Sequence, residues 1–249
     1  MDIRYPIYIL SKGRPNGSTA RIFNKYNIPY KIVIEKEDYK DYLKENSKES
    51  IIVLPESNMG PCYVRNFILT HSRCATDYTW QFDDNIKGFY GKNNGKRTKL
   101  NPIIAINEVE LILKRYINIG VIGFNLRTYT HQKCSRFNFN TRIYSAFCIK
   151  TDTNINFQGS YNLDNDICIQ FLLKGYCTVQ LNYHTICKGK TGDIKGGNYE
   201  RYKGKGRYIM AYEIKLRYPN FTKVIIEKNR HQIRVDWSVF KNNKLIEAK

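Results

Sequence analysis

Apolar and polar positions in the first third of the chain alternate in blocks that predict strands and helices in turn. Four short apolar runs indicate buried strands, at residues 5–10, 31–34, 51–54 and 78–82. Helices are predicted between them, at about residues 18–26, 38–46 and 60–71. A strand followed by a helix, repeated in this way, indicates a parallel sheet with helices packed against it.

The rest of the chain carries a second set of predicted elements. A polar stretch at 88–100, rich in Gly, Lys and Asn, predicts a mobile loop. Further strands are predicted at 120–125, 144–149, 176–181, 223–226 and 233–237, and helices at 101–117, 167–173 and 208–217. No internal repeat and no linker divides the chain, so the pattern predicts an α/β protein without a second domain.

The fourth predicted strand ends in two adjacent carboxylates and an amide, Asp83-Asp84-Asn85. Like charges held close together repel each other. A protein tolerates such a pair where a cation lies between them, usually a divalent metal ion with oxygen ligands. Ligands of open α/β sheets bind at this edge, where the strands end. A simple surface turn is the alternative, because Asp and Asn are common turn residues.

Candidate ligands for a nucleotide follow two earlier elements. Ser11, Lys12 and Arg14 lie in the loop after the first strand, which is a common place to hold a nucleotide; a plain connection with an exposed Arg fits equally well. Arg65 and Asn66 lie in the first turns of the third predicted helix. Arg suits a diphosphate because it is planar and always charged, whereas a solvent-facing pair is the alternative.

Further polar candidates lie in the second half of the chain. Asp164 and Asp166 precede an apolar helix, and stabilisation by the helix dipole explains acids there without any catalytic role. His184 follows a predicted strand, where a hydrogen bond at the strand end is the alternative to a metal ligand. Lys and Gly alternate over 188–207, and Gly196-Gly197 would let the backbone approach a diphosphate; a linker is the alternative.

Cysteine usage indicates a reducing compartment. The chain has seven Cys, an odd number, and no Cys-x-x-Cys pair, which favours free thiols. Two His-x-x-Cys pairs, His131/Cys134 and His184/Cys187, would supply four zinc ligands only if they met in space.

The charge balance points to a polyanionic partner. The chain of 249 residues has 41 Lys and Arg against 22 Asp and Glu, a formal net charge of +19, and nucleic acid is the first candidate. AT-rich coding, which enriches Lys, Asn, Ile and Tyr, is the alternative. Residues 127–142 interleave cations with aromatic rings, which suits a splayed base on a phosphate backbone and equally a solvated hairpin. No apolar run approaches the ~20 residues that span a bilayer, and residues 1–6 lack signal-peptide features. We therefore expect a cytosolic protein with no membrane partner.

Several of these stretches together resemble the motifs of GT-A glycosyltransferases. The closest resemblance is to the branch called TET/JBP-associated glycosyltransferases, which is found largely in bacteriophages. The stretches that carry it are 8–14, Gly60 with Arg65-Asn66, 80–86, 163–166 and 196–199. The resemblance thus covers roughly residues 5 to 200. It implies a Rossmann-like α/β fold, with a mixed, mostly parallel central sheet and helices on both faces.

The resemblance also implies how the chain is organised and where it acts. A single GT-A-like domain would cover residues 1–249. It would have a nucleotide-sugar half at about 1–100, an acceptor half at about 101–205, and a C-terminal helix and strands at 206–249. If the gene is carried by a phage, the protein would act in the cytoplasm of the infected bacterial host.

The activity that the resemblance implies is transfer of a sugar from a nucleotide sugar, with a UDP-sugar as first candidate, to the hydroxyl of a 5-hydroxymethylpyrimidine base in DNA. Mn²⁺ or Mg²⁺ would be held by Asp84. Asp83 would be either a second ligand or a contact to the ribose, and His184 would be a ligand as in some GT-A enzymes. The donor-binding residues would be Ser11, Lys12, Arg14, Glu35, Arg65, Asn66, Asp83, Gly196 and Gly197.

An acid near position 164 would be the catalytic base in an inverting reaction. Asp164 is the first choice and Asp166 the second, although position 163 is Leu where the commoner pattern has Glu. Three alternatives to this activity stay open. They are transfer to a glycan or protein, a non-catalytic nucleic-acid-binding protein with a glycosyltransferase shape, and a nucleotidyltransferase.

Overall fold

The described part of this computed structural model comprises residues 3–93, 96–130, 134–189, 206–227 and 230–248. Its strands are β1 (Ile7–Leu10), β2 (Lys31–Ile34), β3 (Ile51–Val53), β4 (Tyr78–Asp83), β5 (Ile86–Asn93), β6 (Lys96–Leu100), β7 (Ile119–Leu126), β8 (Phe137–Phe139), β9 (Ala146–Lys150), β10 (Cys177–Lys188), β11 (Thr222–Glu227) and β12 (Arg230–Val235). Its α-helices are α1 (Ser18–Lys25), α2 (Tyr39–Tyr42), α3 (Gly60–Arg73), α4 (Pro102–Arg115), α5 (Leu163–Leu173) and α6 (Gly206–Arg217).

One mixed sheet organises these elements. Its strand order within the described residues is β3-β2-β1-β4-β9-β7-β10-β5-β6, with β8 paired to β10. The first four strands in that order are parallel, β7 and β10 are parallel to each other, and β9 is antiparallel to both β4 and β7. The parallel strands β1, β2, β3 and β4 therefore all end at one edge. This sheet confirms the predicted α/β class.

Helices pack on both faces of the sheet because successive side chains of a strand point to opposite faces. On β1, Ile7 and Ile9 lie in the largest cluster of buried apolar residues, which includes Phe23 of α1 and Ile106 of α4. Tyr8, between them, lies in a different cluster with Ile68 of α3. In the described part of the chain, every helix is too short or too polar to cross a membrane.

The expectation of a mobile loop at 88–100 is wrong, because this stretch forms the antiparallel hairpin of β5 and β6. β5 also pairs with β10, and Phe89 is buried in the main core. This stretch has the composition of a loop because β6 is the last strand of the sheet and its exposed positions are polar. Lysine on an edge strand discourages pairing with another chain.

Two other elements extend beyond their predicted limits, and both carry site residues. β10 was expected to end near residue 181, but its pairing with β7 shifts register after Leu181 and it continues to Lys188 beside β5. α5 begins at Leu163, so that Asp164 and Asp166 lie in its first turn. Tertiary pairing and packing set these limits, and short sequence windows do not contain that information.

The C-terminal elements pack against α5. Ile169 and Leu172 of α5 share a buried cluster with Ile214 and Tyr218 of the α6 region and with Phe240. β11 and β12 form a separate two-stranded antiparallel sheet. The helix that carries the candidate catalytic acids is therefore buried between the main sheet and the C-terminal segment.

Gly123 tests the close contact of β7 with β9. A Cβ at this position would meet the carbonyl oxygen of Ala146 and lie 2.8 Å from the Cα of Phe147, both backbone atoms that cannot move independently. We expect Gly123→Ala to lower the free energy of unfolding by about 1–3 kcal/mol, as overpacking does, measured by denaturant unfolding. The control is Gly91→Ala, whose Cβ would make ordinary contacts of 3.5 Å with Leu100. An equal loss in both variants would contradict the assigned packing.

Candidate active site

The turn that follows β4 is held in place by Thr19 of α1. The Thr19 hydroxyl donates to the carbonyl oxygen of Asp83 at 2.6 Å and accepts from the backbone N–H of Ile86 at 3.0 Å. The Thr19 N–H donates to the carbonyl oxygen of Asp84 at 3.1 Å. A Cβ on Gly17 would lie only 3.0 Å from that same oxygen, so the close approach favours glycine there. The hydrogen bonds of Thr19 thus fix the backbone of Asp83 and Asp84.

The loop after β1 bonds to the side chain of Asp84. Arg14 donates from Nη1 to Asp84 Oδ1 at 2.9 Å, and Ser11 donates its hydroxyl to Asp84 Oδ2 at 2.8 Å. Tyr42 bonds both to the Ser11 hydroxyl at 2.6 Å and to the backbone N–H of Arg14 at 3.0 Å. Burial raises the pKa of Asp84, and the Arg14 charge offsets part of that effect. The structure therefore brings the candidate residues Ser11, Arg14 and Asp84 together.

Asp83 is bonded to two cations. Lys188, the last residue of β10, donates from Nζ to Asp83 Oδ2 at 2.9 Å and to the Ser145 hydroxyl at 2.7 Å. Arg65 of α3 donates from Nη2 to Asp83 Oδ1 at 3.2 Å. Burial alone would raise the pKa of Asp83, but the charges of Lys188 and Arg65 outweigh it and the pKa is lowered. Asp83 is therefore a stable anion.

Asp83 and Asp84, with the side chains bonded to them, form the carboxylate corner, and Arg65 connects this corner to α5. The same Nη2 atom that bonds to Asp83 lies 3.9 Å from Asp164 Oδ1. The guanidinium is buried against two neighbouring aromatic rings, with its central carbon 5.0 Å from the centre of the Phe147 ring and 5.5 Å from that of Phe157. Such contacts favour a cation over a ring face. One fixed cation thus holds Asp83 and Asp164 close to each other.

Asp164 has the environment of a general base. Its side chain is 35% exposed, so a substrate hydroxyl can reach it. Burial of the rest of the group raises its pKa above the ordinary 3.8, although the charge of Arg65 opposes the shift. A carboxylate with a higher pKa is a better proton acceptor.

Asp166 has a structural environment instead. It is fully buried and forms an ion pair with Arg217 of α6. It also accepts hydrogen bonds from the Tyr218 hydroxyl at 2.8 Å and the Gln170 amide at 2.7 Å. These partners occupy the carboxylate, so Asp166 joins the C-terminal segment to α5, and Asp164 is the acid that faces the corner.

Two other predicted donor ligands are occupied by protein contacts. Glu35 is buried at the end of β2 and pairs with Lys12 at 2.6 Å, while the backbone N–H of Asn58 donates to it at 2.9 Å. Asn66 exchanges two hydrogen bonds with the backbone of Phe157, at 2.8 and 2.9 Å. Lys12 and Glu35 thus form a polar pair near the loop after β1, whereas Asn66 holds the segment that covers Arg65.

The remaining sequence predictions lie away from the corner or outside the described residues. His184 lies opposite Gly91, four residues before Lys188 on β10, or roughly 13 Å along a strand. Its Nδ1 atom is buried without a hydrogen-bond partner among the described residues, and burial lowers its pKa. The structure therefore does not bring His184 to the carboxylates. Gly196, Gly197 and His131 lie outside the described residues, so the zinc hypothesis stays a prediction.

The donor set does not fit the divalent metal expected from the sequence. All four carboxylate oxygens of Asp83 and Asp84 already accept from protein groups, three of which are cations. In the described part of the chain, no three His, Cys, Asp or Glu side chains are grouped closely enough to hold a metal ion. The Asn85 Oδ1 atom is buried and has no partner among the described residues, but one amide oxygen does not complete the coordination shell of Mg²⁺ or Mn²⁺.

Sequence reasoning missed the residues that complete the corner from later parts of the chain. The sequence places Lys188 at the start of the Lys- and Gly-rich stretch 188–207 near a diphosphate, whereas the structure places it at the end of β10, bonded to Asp83. Ser145, whose left-handed backbone (φ 70°) lets its carbonyl oxygen accept the Asp83 N–H at 2.7 Å, carries no sequence signal. Thr19 lies at the start of the predicted helix at 18–26, and nothing in the sequence links it to the carboxylate turn. Only the alternating pattern continuing past residue 181 could have indicated Lys188.

The family model described as TET-Associated Glycosyltransferase matches residues 5–197. No curated protein matches the chain. Among solved structures, the mannose-6-phosphate isomerase from Helicobacter pylori is similar over 98% of this chain and 91% of its own, at 11% identity and a TM-score of 0.33. A similarity that low carries no argument about function.

The different environments of the two acids on α5 predict different effects on stability. Asp166→Ala leaves Arg217 and the Tyr218 hydroxyl without their buried partner, so we expect a loss of about 3 kcal/mol in the free energy of unfolding. Asp164→Ala removes a partly exposed carboxylate, and we expect a change within about 1 kcal/mol. Denaturant unfolding of both variants measures the difference. A larger loss in Asp164→Ala would show that the structural role lies there.

Proposed function

The chain belongs to the TET-associated glycosyltransferase family and is a glycosyltransferase, and on that premise we propose its substrates. We propose that it moves a sugar from a nucleotide sugar, a UDP-sugar being the first candidate, to the hydroxyl of a 5-hydroxymethylpyrimidine base in DNA. The observation that carries the proposal is the position of Arg65, which joins Asp83 at the end of β4 to Asp164 on α5. A donor held by the cations around Asp83 would present its sugar to a base at Asp164.

The donor end of the site is the edge where β1, β2 and β4 stop. Arg14, Lys12 and Lys188 lie there, each paired with a carboxylate. Cations at the carboxyl ends of parallel strands suit the diphosphate of a nucleotide sugar. The divalent metal expected from the sequence is left out of this proposal, because the carboxylates that would hold it are already paired.

The proposed reaction is a single displacement. The acceptor hydroxyl oxygen forms a bond to the anomeric carbon while the bond from that carbon to the phosphate oxygen breaks. The bonding electron pair leaves on the diphosphate, and the proton of the hydroxyl passes to Asp164. An acid that deprotonates the attacking group on the face opposite the leaving group gives inversion of configuration.

DNA as acceptor is supported by charge around the site. The chain carries a net charge of +19. The hairpin of β5 and β6 begins directly after the carboxylate turn, and its exposed side chains include Lys92, Lys96 and Lys99. Beside it, the Arg127 guanidinium lies 4.5 Å from the centre of the Tyr90 ring. A target base must leave the stack to reach Asp164, and cations with nearby rings suit an unstacked strand. Action on DNA would place the enzyme in the cytoplasm.

Two experiments test the proposed function: one varies the acceptor DNA, and the other removes the catalytic base Asp164. Purified full-length protein with a panel of nucleotide sugars should glycosylate DNA that contains 5-hydroxymethylcytosine or 5-hydroxymethyluracil and leave plain DNA unchanged. Asp164→Asn should lower kcat by about 10²–10⁴, as loss of a general base does, with little change in donor affinity.

Because burial raises the pKa of Asp164, the acidic limb of the kcat/KM profile should lie above pH 3.8, and the rate should fall as the pH drops through it.

The matched control for Asp164→Asn is Asp152→Asn, which changes an exposed acid on a different loop and should keep full activity. Asp83 and Asp166 do not serve as controls, because Asp83 belongs to the site and Asp166 supports it. Transfer to a glycan or protein but not to modified DNA would contradict the acceptor. Release of pyrophosphate from a nucleoside triphosphate would instead indicate a nucleotidyltransferase.

The hairpin predicts a specific salt dependence of DNA binding. Replacing Lys96 and Lys99 together with Gln removes two exposed charges from β6. The slope of log K against log salt concentration should shrink by about 2, because a protein that neutralises two fewer phosphates releases about two fewer counterions. Fluorescence anisotropy at several salt concentrations measures the slope. The control is Lys174→Gln with Lys241→Gln, two exposed lysines outside the hairpin, and an equal change there would mean that binding is spread over the whole surface.

A further inference from the structure

The carboxylate corner is balanced by cations that belong to the chain itself. Asp83 is paired with Arg65 and Lys188, and Asp84 is paired with Arg14. With Asp164 counted, these are three carboxylates beside three cations. The repulsion that would otherwise call for a metal ion between Asp83 and Asp84 is therefore already relieved. A divalent ion would have to compete with these cations and, at Asp84 Oδ2, with the Ser11 hydroxyl.

Lys188 is the cation in this group with the most suitable position for a ligand. Its side chain is only 13% exposed, and its ammonium group is fixed by Asp83 and by the Ser145 hydroxyl. An ammonium carries three donors, and these two partners use two of them. Asp83 itself is fixed by Arg65 on its other oxygen. Lys188 is thus a preorganised donor at the rim of the sheet.

We propose that Lys188 neutralises the leaving diphosphate in place of a divalent metal, with Arg65 and Arg14 as the neighbouring cations. Donor binding and sugar transfer then need no added metal ion. This inference rests on the proposed function. As the bond from the anomeric carbon to the phosphate oxygen breaks, its electron pair leaves on that oxygen. A fixed ammonium beside the oxygen stabilises the developing charge without reorganisation. Lys188 is then a catalytic residue, and Ser145 and Asp83 are positioning residues that hold it.

Binding of nucleoside diphosphates tests the inference without relying on activity. The full-length protein is stripped with EDTA, and UDP, GDP, ADP and CDP are titrated by calorimetry in EDTA and again with Mn²⁺. We expect the preferred nucleotide to bind with the same Kd, within about twofold, in both conditions. Lys188→Met should raise that Kd by about tenfold or more, the effect of removing one charge-assisted hydrogen bond to phosphate, and Lys188→Arg should restore most of it.

The matched control is Lys150→Met. Lys150 is equally buried at 14% exposure and has an ion pair of similar length, 3.0 Å to Asp152. It lies opposite Tyr78, where β4 begins, and therefore at the other edge of the sheet from Asp83. Lys150→Met should leave nucleotide affinity unchanged. Thermal unfolding of each variant shows whether a weaker affinity reflects impaired folding, and if Lys188→Met does not fold, Lys188→Arg with the EDTA comparison decides.

The possible outcomes separate this inference from the proposed function. Binding that requires Mn²⁺, or Mn²⁺ binding in the absence of nucleotide that Asp84→Asn abolishes, would overturn the inference and leave the glycosyltransferase proposal standing. Unchanged affinity in a folded Lys188→Met would also overturn it. Equal binding in EDTA with no transfer to hydroxymethylated DNA would support the inference while contradicting the acceptor. Failure of every nucleotide to bind in both conditions would overturn both.

Discussion

The site depends on one buried guanidinium. Arg65 packs against the rings of Phe147 and Phe157 and bonds to Gln81 and Asp83, with Asp164 at 3.9 Å. A cation at that depth is stable only if carboxylates surround it, and carboxylates are stable there only if cations do. The pairing therefore fixes α3, β4 and α5 relative to one another. The two acids nevertheless differ, because burial raises the pKa of Asp164 while the added charge of Lys188 helps to lower that of Asp83.

The first half of the fold could be predicted from the sequence because its elements are local. β2 and the start of α1 lie where the apolar pattern placed them. The hairpin of β5 and β6 could not be recognised, because an edge strand with lysines has the composition of a loop. The length of β10 depends on two successive partners, β7 and then β5. Pairing between distant segments determines such features, and no short window of sequence records it.

The candidate site was predicted in part for a similar reason. Residues near strand ends, such as Arg14, Asp83 and Asp84, follow from the order of elements, and the structure places them close together. Lys188, which completes the carboxylate corner, lies on a strand more than 100 residues further along the chain than Asp83. The partners that occupy Asp166 come from α6, and they separate its role from that of Asp164. The expectation of a metal came from two adjacent acids in the sequence, whereas the structure pairs those acids with Arg14, Arg65 and Lys188.

The central claim is that the leaving diphosphate is held by the cations of the chain at the end of β4. The most direct measurement is a crystal structure of the full-length protein grown in EDTA with the nucleoside diphosphate that binds most tightly. The account predicts the diphosphate at residues 83–85, with a phosphate oxygen within hydrogen-bonding distance of Lys188 Nζ. A diphosphate bound far from that corner, or nucleotide density that appears only when Mn²⁺ is supplied and bridges Asp84, would contradict it.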